Sequence, residues 1–345
     1  MKQFFVDLKT VLPIFIIWRV WLLVIGYWSI GLLSFKASFP FIDETLIASG
    51  LPQWLWQWGN FDGVHYLFIA KIGYAFNGMQ AFFPLYPVLI KLLHLIFQNY
   101  VFSALIISNL SFLVALVLVR RLYGCWAVFF TMLFPTSFYF VSIYSESLLL
   151  LLILLFMTLG AKWRWVFSIL AGTTKLIGGF MGAGVVGVWG YMVYLYWQFH
   201  NPVMFLFSQG SFKNQRANDL AGLVTPFQTV FRYIKILVTA DPGNIAYWVA
   251  VLELAAFVFA VGVLGYLSIN RRLPFWWFIF SWAVVILPAV TGTLTSMPRY
   301  VVVLTPIFVF LSQIENSKLK TLILGLFAVL QVVLTVLFLR GYWIA

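Results

Sequence analysis

The strongest constraint in this sequence is a series of apolar runs whose lengths approach the thickness of a lipid bilayer. A helix needs about 20 apolar residues to cross the hydrocarbon core. The first such run extends from Val11 to Leu33. Further runs cover residues 82–98, 101–119, 125–143, 147–160, 177–197, 246–269, 274–293, 300–313 and 321–339, and residues 165–176 are a candidate half-span. Strand-like alternation of polar and apolar residues is not seen, so α-helices are the expected way to satisfy the backbone in lipid.

Composition indicates the same class of protein. Hydrophobic residues make up 63% of the chain and charged residues only 9%, which leaves too little polar surface to cover a soluble globule. We therefore predict an all-α polytopic membrane protein that forms one integral membrane domain over residues 1–345, with about 9–11 transmembrane helices. The net charge is +12, but the basic residues are scattered between apolar runs. Membrane lipids explain this charge better than nucleic acid does.

The positive-inside rule orients the chain. Lys2 and Lys9 precede the first apolar run, which is too long for a signal peptide, so we predict a cytoplasmic N-terminus. Residues 34–80 then form the first extracytoplasmic loop. Its stretch from Leu51 to Trp58 carries three tryptophans, which favour short helices along the membrane surface. Residues 198–245 form a second polar and amphipathic region, whose side of the membrane is not determined.

Carboxylates near apolar segments need an explanation, because an acid at the centre of a membrane helix costs about 2.5–3.5 kcal/mol. Asp62 lies between the tryptophan-rich stretch and the next helix, where it is either a site residue that faces lipid and water or a helix cap. Glu146 directly precedes an apolar run and is equally compatible with structural pairing and with function. Glu253 is alone in a long apolar run, which favours a structural hydrogen bond.

Basic residues in apolar context form the complementary set. Arg299 follows Met297-Pro298 at a predicted helix start, where its guanidinium and free backbone N–H groups are suited to a phosphate. Lys175 interrupts an apolar stretch and either extends to the interface or binds an anion. The single cysteine, Cys125, excludes a disulfide within a monomer and is expected to be buried.

A metal cofactor is not indicated by the sequence. The chain has three histidines, and none of them stands at ligand spacing from another. A divalent-metal site built from Asp43, Glu44, Asp62 and His65 stays open, but nothing in the spacing of these residues requires it.

Short polar motifs follow one another over most of the chain. They are Asp62-Gly63-Val64-His65-Tyr66, Ile69-Ala70, Gly73-Tyr74, Ala81-Phe82-Phe83-Pro84-Leu85-Tyr86-Pro87, Ser108-Asn109-Leu110, Pro135-Thr136-Ser137, Tyr144-Ser145-Glu146-Ser147, Gln209, and Pro298-Arg299-Tyr300 with Pro306. In this order they resemble the motifs of the PIG-V-like mannosyltransferases, a family that adds the second mannose of the glycosylphosphatidylinositol anchor and has bacterial and archaeal relatives. The chain departs from that family at Asn60-Phe61, where Arg-Trp is usual, and at Lys175, where an Arg is usual.

The resemblance implies a GT-C glycosyltransferase fold, a polyprenyl-phosphate sugar donor and a lipid-linked or glycan acceptor. It also implies inverting transfer of a hexose, with mannose favoured, by an active site on the non-cytoplasmic face. Asp62 is by position the catalytic base, and Arg299 and Lys175 are expected to bind the donor phosphate. Further candidates from the matching motifs are His65, Tyr66, Tyr144, Glu146, Gln209 and Tyr300. In a prokaryote such a protein would lie in the plasma membrane.

Two other classes of function stay open. A transporter or flippase of lipid-linked sugars would also place rare charges inside a helix bundle, although its site would lie at mid-membrane on broken helices rather than in a long outer loop. A structural membrane subunit would leave the clustered polar motifs unexplained. A small membrane subunit also stays open as a partner.

Overall fold

The computed structural model describes residues 2–76, 78–208 and 222–344. Over these residues the protein is all-helical, with 77% helix and no β-strand. Four helices are long and apolar enough to cross a membrane, namely Gln3–Leu32, Tyr100–Tyr123, Ile245–Ile269 and Ser317–Leu339. Three shorter apolar helices are Leu85–Phe97, Glu146–Thr158 and Phe275–Val290. The all-α class is therefore confirmed, and these apolar helices are consistent with a membrane protein.

The α-helices of the described residues range from 4 to 31 residues in length. In chain order they are α1 (Lys2–Leu32), α2 (Ile42–Thr45), α3 (Gln53–Trp56), α4 (Asp62–Ile72), α5 (Leu85–Phe97), α6 (Tyr100–Tyr123), α7 (Cys125–Leu133), α8 (Glu146–Thr158), α9 (Ala161–Thr174), α10 (Gly184–Phe199), α11 (Met204–Phe207), α12 (Pro226–Thr239), α13 (Ile245–Ile269), α14 (Phe275–Val290), α15 (Met297–Val301), α16 (Thr305–Ser312) and α17 (Ser317–Leu339). Short 3₁₀-helices lie between some of them, at Ile47–Ser49, Gln57–Gly59, Met79–Ala81, Ser137–Val141 and Leu176–Phe180. The short helices expected within the first polar loop are thus present.

Contacts divide the chain into two compact units. The first unit comprises Met1–Gly73, Pro84–Phe167 and Phe308–Trp343, and the second comprises Tyr74–Phe83, Ser168–Ile307 and Ile344–Ala345. The single domain predicted over residues 1–345 is therefore described as two units, each by itself.

Helix α6 is the centre of the first unit, where it packs against α1, α5 and α8. It begins at a true cap, since the side chain of Asn99 accepts a hydrogen bond from the Phe102 N–H. Phe112 of α6 is fully buried, and its ring stacks on that of Phe140 with centroids 4.4 Å apart. On its other side the ring contacts Trp18 of α1 at 5.6 Å. Aromatic packing of this kind holds the long helices of the unit together.

Three apolar runs do not form the single helices that their lengths predicted. The run 177–197 is divided between the 3₁₀-helix Leu176–Phe180 and α10. The run 125–143 contains the nine-residue α7 and a separate 3₁₀-helix, because Pro135 cannot continue a helix. The run 300–313 is divided between α15 and α16. Cys125 is exposed at the first position of α7, so the prediction that it is buried was wrong.

Glycines bring the end of α9 and the start of α10 into backbone contact in the second unit. A Cβ atom added at Gly172 would lie 1.9 Å from the Gly184 carbonyl oxygen, and one added at Gly187 would lie 2.1 Å from the Ile169 carbonyl oxygen. No side chain fits at either position. This packing fixes the start of the 3₁₀-helix that follows α9, where Lys175 has extended backbone angles of φ −163° and ψ 147°.

We predict that Gly187→Ala destabilises the folded protein, because the added methyl group overlaps a backbone atom that cannot move away alone. The expected loss is about 3 kcal/mol in the free energy of unfolding. Thermal unfolding of the protein purified in detergent measures it. Gly190→Ala is the matched control, since this glycine lies on the same helix with open space around its added Cβ. Equal melting temperatures for the two variants would contradict the proposed contact.

Candidate functional site

Two polar motifs of the first unit come together although about 80 residues separate them. One is the start of α4, with Asp62 and His65, and the other is the segment that leads into α8. The N–H of Ile143 donates a hydrogen bond of 3.0 Å to the Trp58 carbonyl. A Cβ added at Gly63 would lie 3.3 Å from the Ile143 carbonyl oxygen, which is a tight contact, so the glycine favours this close approach. The sequence-predicted residues Asp62, His65, Tyr66, Tyr144 and Glu146 belong to this cluster.

The turn before Asp62 has a strained backbone that the surrounding structure holds in place. Phe61 has φ 60° and ψ −114°, in a region that non-glycine residues rarely adopt. The Tyr144 hydroxyl closes this turn, because it donates to the Asn60 carbonyl at 3.0 Å and accepts from the Asp62 N–H at 3.3 Å. The Asn60 side chain in turn donates to the carbonyls of Phe338 at 2.9 Å and Leu339 at 3.1 Å. Such strain is frequent at functional sites.

Asp62 itself is the first residue of α4 and is half-buried. The capping position belongs to Phe61, whose side chain makes no cap hydrogen bond. The alternative that Asp62 is a helix cap is therefore wrong. A carboxylate in the first turn is stabilised by the positive end of the helix dipole. The arrangement presents a charged oxygen acceptor on a backbone that cannot easily rearrange.

His65 lies one turn further along α4 and is only 7% exposed. Its burial lowers the pKa of the imidazole, and the neighbouring Asp62 carboxylate partly opposes this effect. The physical cause is that the charged imidazolium loses its hydration when it is buried. At neutral pH the ring is therefore a neutral hydrogen-bonding group beside Asp62.

Tyr66 and Glu146 continue the cluster into the interior of the first unit. The Tyr66 hydroxyl is 2.9 Å from the Ser145 Oγ, and its ring meets the edge of the Tyr86 ring at 5.1 Å. Tyr86 bonds to Ser108 at 2.7 Å. Glu146 is 1% exposed at the first position of α8, as expected for an acid buried next to an apolar run.

Binding of a metal ion requires several ligand side chains that are grouped closely together. Among the residues that the structure describes, no group of three or more His, Cys, Asp or Glu side chains is close enough to hold a metal ion. The set Asp43, Glu44, Asp62 and His65, which the sequence left open, therefore does not form such a group there.

The second unit places two cations around one aromatic ring. The Lys175 ammonium is 5.1 Å from the centroid of the Tyr300 ring, and the Arg299 guanidinium carbon is 5.8 Å from it. Arg299 is only 7% exposed, whereas Lys175 is half-buried. The ring stabilises both charges, and the pair forms a positive centre suited to an anion such as phosphate.

The free backbone N–H groups predicted at Arg299 are absent. Helix α15 has only five residues, and the N–H groups of Arg299 and Tyr300 both donate to the Ser296 carbonyl at 3.0 Å. That part of the prediction was wrong. Any anion at this site would be bound by the side chains.

A buried network that sequence reasoning did not identify holds the turn before Arg299. The Tyr233 hydroxyl donates to Glu253 at 2.6 Å and accepts from the Leu294 N–H at 3.0 Å. The other oxygen of Glu253 accepts from the N–H of Ser296 at 3.1 Å, and Ser296 has φ 70°. The structural hydrogen bond expected for Glu253 is thus confirmed. The only available signal for Tyr233 was its place in an amphipathic segment.

The candidate residues are divided between the two units. Asp62, His65, Tyr66, Tyr144 and Glu146 lie in the first, and Lys175, Arg299 and Tyr300 lie in the second. Gln209 lies outside the described residues.

Stability should depend on pH through His65. Because its pKa is lowered in the folded state, the unfolded chain binds more protons at this residue below about pH 6.5. The free energy of unfolding should therefore be highest above that pH and fall as the pH falls towards 5. Thermal unfolding at several pH values should show a weaker decline in His65→Asn. The variant His200→Asn, at an exposed histidine, should keep the decline of the original protein. An unchanged decline in His65→Asn would contradict the assignment.

Comparison of the chain with protein-family models, with curated proteins and with solved structures gives no match. A functional assignment therefore depends on the chemistry of the two clusters and on the motif resemblance.

Proposed function

We propose that this protein is a polyprenyl-phosphate-dependent glycosyltransferase. It transfers a hexose, with mannose favoured by the motif resemblance, to a lipid-linked or glycan acceptor on the extracytoplasmic face. The proposal depends mainly on the half-buried Asp62 carboxylate. A strained turn, which hydrogen bonds to Tyr144 hold in place, positions this carboxylate next to the neutral His65. Backbone strain of this kind is frequent at functional sites, which supports the proposal.

Inverting transfer needs a base on one side of the anomeric carbon. In the proposed step, Asp62 accepts the proton of the acceptor hydroxyl while that oxygen bonds to the anomeric carbon. The bond between the anomeric carbon and the phosphate oxygen breaks, and polyprenyl phosphate leaves with the electron pair. Atoms and charge balance without a metal or another cofactor.

The departing phosphate needs positive charge, and the motif resemblance assigns this role to Arg299 and Lys175. A guanidinium binds two phosphate oxygens through its planar fork, whereas an ammonium acts as a point charge. The shared contact with Tyr300 supports this role, because it holds two flexible cations in defined places. Tyr144 and Glu253 are proposed as positioning residues, since each bonds to the backbone next to its functional residue. Gln209 is assigned to the site by the motif resemblance alone.

The proposal includes the membrane arrangement of this enzyme class. We propose a GT-C fold inserted in the plasma membrane with about 9–11 spans. The four long and three shorter apolar helices support multiple crossings.

A transporter or flippase of lipid-linked sugars is the second candidate. One observation favours it, since Lys175 lies at the break between α9 and the following 3₁₀-helix, and Arg299 lies in the short α15. Charged residues on broken helices are typical of transporter sites. Formation of a new glycosidic bond by the purified protein would decide against this candidate.

We predict that Asp62→Asn abolishes transfer but leaves the fold intact, because the two side chains have nearly the same shape. The expected fall in rate is about 10²–10⁴-fold, the usual effect of losing a general base. The measurement is transfer of labelled mannose from polyprenyl-phosphate mannose to membrane glycolipids. Asp241→Asn, at an exposed turn, is the control and should keep full activity. Retention of more than about a tenth of the activity by Asp62→Asn would contradict the role of base.

Arg299→Ala should raise the KM for the donor, and Arg299→Lys should retain part of the activity, because an ammonium keeps the charge but loses the fork. The loss in kcat/KM for Arg299→Ala should be at least about tenfold. Lys235→Ala removes an exposed positive charge and serves as the control. Donor kinetics of Arg299→Ala that match the original protein would exclude the phosphate role.

A further inference from the structure

A second concave site lies in the first unit, apart from the Asp62 carboxylate. It is a cavity of about 460 Å³, which is within the usual range of ligand pockets. Its lining includes the aromatic residues Phe35, Phe39 and Trp56. It also includes Asp43, Glu44 and Gln53, whose side-chain oxygens accept hydrogen bonds.

The aromatic residues of this cavity pack against one another and against neighbouring rings. The ring of Phe35 meets that of Trp56 edge-on, with centroids 5.4 Å apart and an angle of 89°. Phe39 extends this packing towards the strained turn, because its ring lies 4.7 Å from that of Phe61, the residue before Asp62. One lining residue of the cavity therefore packs directly against the residue that precedes the proposed base.

The polar side of the cavity carries negative charge. Asp43 and Glu44 are both exposed, and they are two of only nine carboxylates in a chain with a net charge of +12. Ionised carboxylates accept hydrogen bonds and repel other anions. A pyranose ring suits the cavity, since its hydroxyl groups donate to carboxylates and its C–H face packs on aromatic rings.

We propose that this cavity is the place where the terminal pyranose of the acceptor binds. Asp43 and Glu44 bind its hydroxyl groups, and Trp56 and Phe35 pack against its apolar face. This inference rests on the proposed function, and it adds the place where the acceptor binds and the residues that hold it.

The first test measures binding without turnover. Full-length protein in detergent is titrated with methyl α-mannopyranoside, choline chloride and inorganic phosphate, and binding is followed by calorimetry. We expect saturable binding of the pyranoside only. The double variant Asp43→Asn/Glu44→Gln should weaken this binding by at least about tenfold. The matched control is Asp241→Asn/Glu315→Gln, which removes the same charge from exposed positions elsewhere and should bind like the original protein.

Three results would overturn the inference: no saturable binding of the pyranoside, equal binding by the Asp43→Asn/Glu44→Gln variant, or tighter binding of choline or phosphate. The second test is kinetic. In an active preparation, the same variant should raise the KM for the acceptor at least about tenfold and leave the KM for the donor unchanged. Pyranoside binding by a protein that forms no glycosidic bond would refute the proposed function but not the pyranose site.

Discussion

The structure depends on satisfying backbone groups wherever an apolar helix is interrupted. Each interruption frees carbonyl or amide groups that apolar surroundings cannot hydrogen-bond. Buried polar side chains form the hydrogen bonds that these backbone groups would otherwise lack. The amide of Gln331 donates to two carbonyls beside the break at Pro135, at 2.9 Å each, and accepts from the Trp18 indole at 3.0 Å. Asn60 donates to two carbonyls at the end of α17. Glu253 accepts a hydrogen bond from the backbone N–H of Ser296, directly before α15.

The same requirement locates the candidate chemistry. A straight membrane helix uses all its backbone groups and offers only its side chains, whereas an interrupted one presents turns with defined and unusual angles. Asp62 and Arg299 each follow such a turn, and each turn contains a non-glycine residue with positive φ. In both cases a tyrosine hydroxyl bonds to the backbone of the turn, from Tyr144 in the first unit and from Tyr233 in the second. The hydrogen bonds that stabilise these turns therefore also position the residues of the proposed site.

Local sequence patterns predicted many of the helices and polar clusters. They did not predict the hydrogen bonds that join residues from different parts of the chain. Hydrophobic run length predicted helices such as α6, α13 and α17, because burial in lipid acts on each segment separately. The motifs around Asp62 and Glu146 were recognised as polar clusters, and the structure brings them together. Asn60 was noted only as a departure from a family pattern. Its partner lies 278 residues away, so no spacing along the chain could reveal the bond. The pairing of Tyr233 with Glu253 was missed because the two residues lie 20 positions apart on different helices, and their spacing does not indicate a contact.

The conformation of Phe61 has a consequence for the evolution of the site. Glycine would relieve the backbone, but it would remove a ring that contacts Phe39 at 4.7 Å and Trp343 at 5.1 Å. Any other large residue keeps the contact area and also keeps the unfavourable φ of 60°. No single substitution satisfies both demands. A substitution at this position therefore requires compensating substitutions in the aromatic residues around it. We expect Phe61 and these residues to change together during evolution.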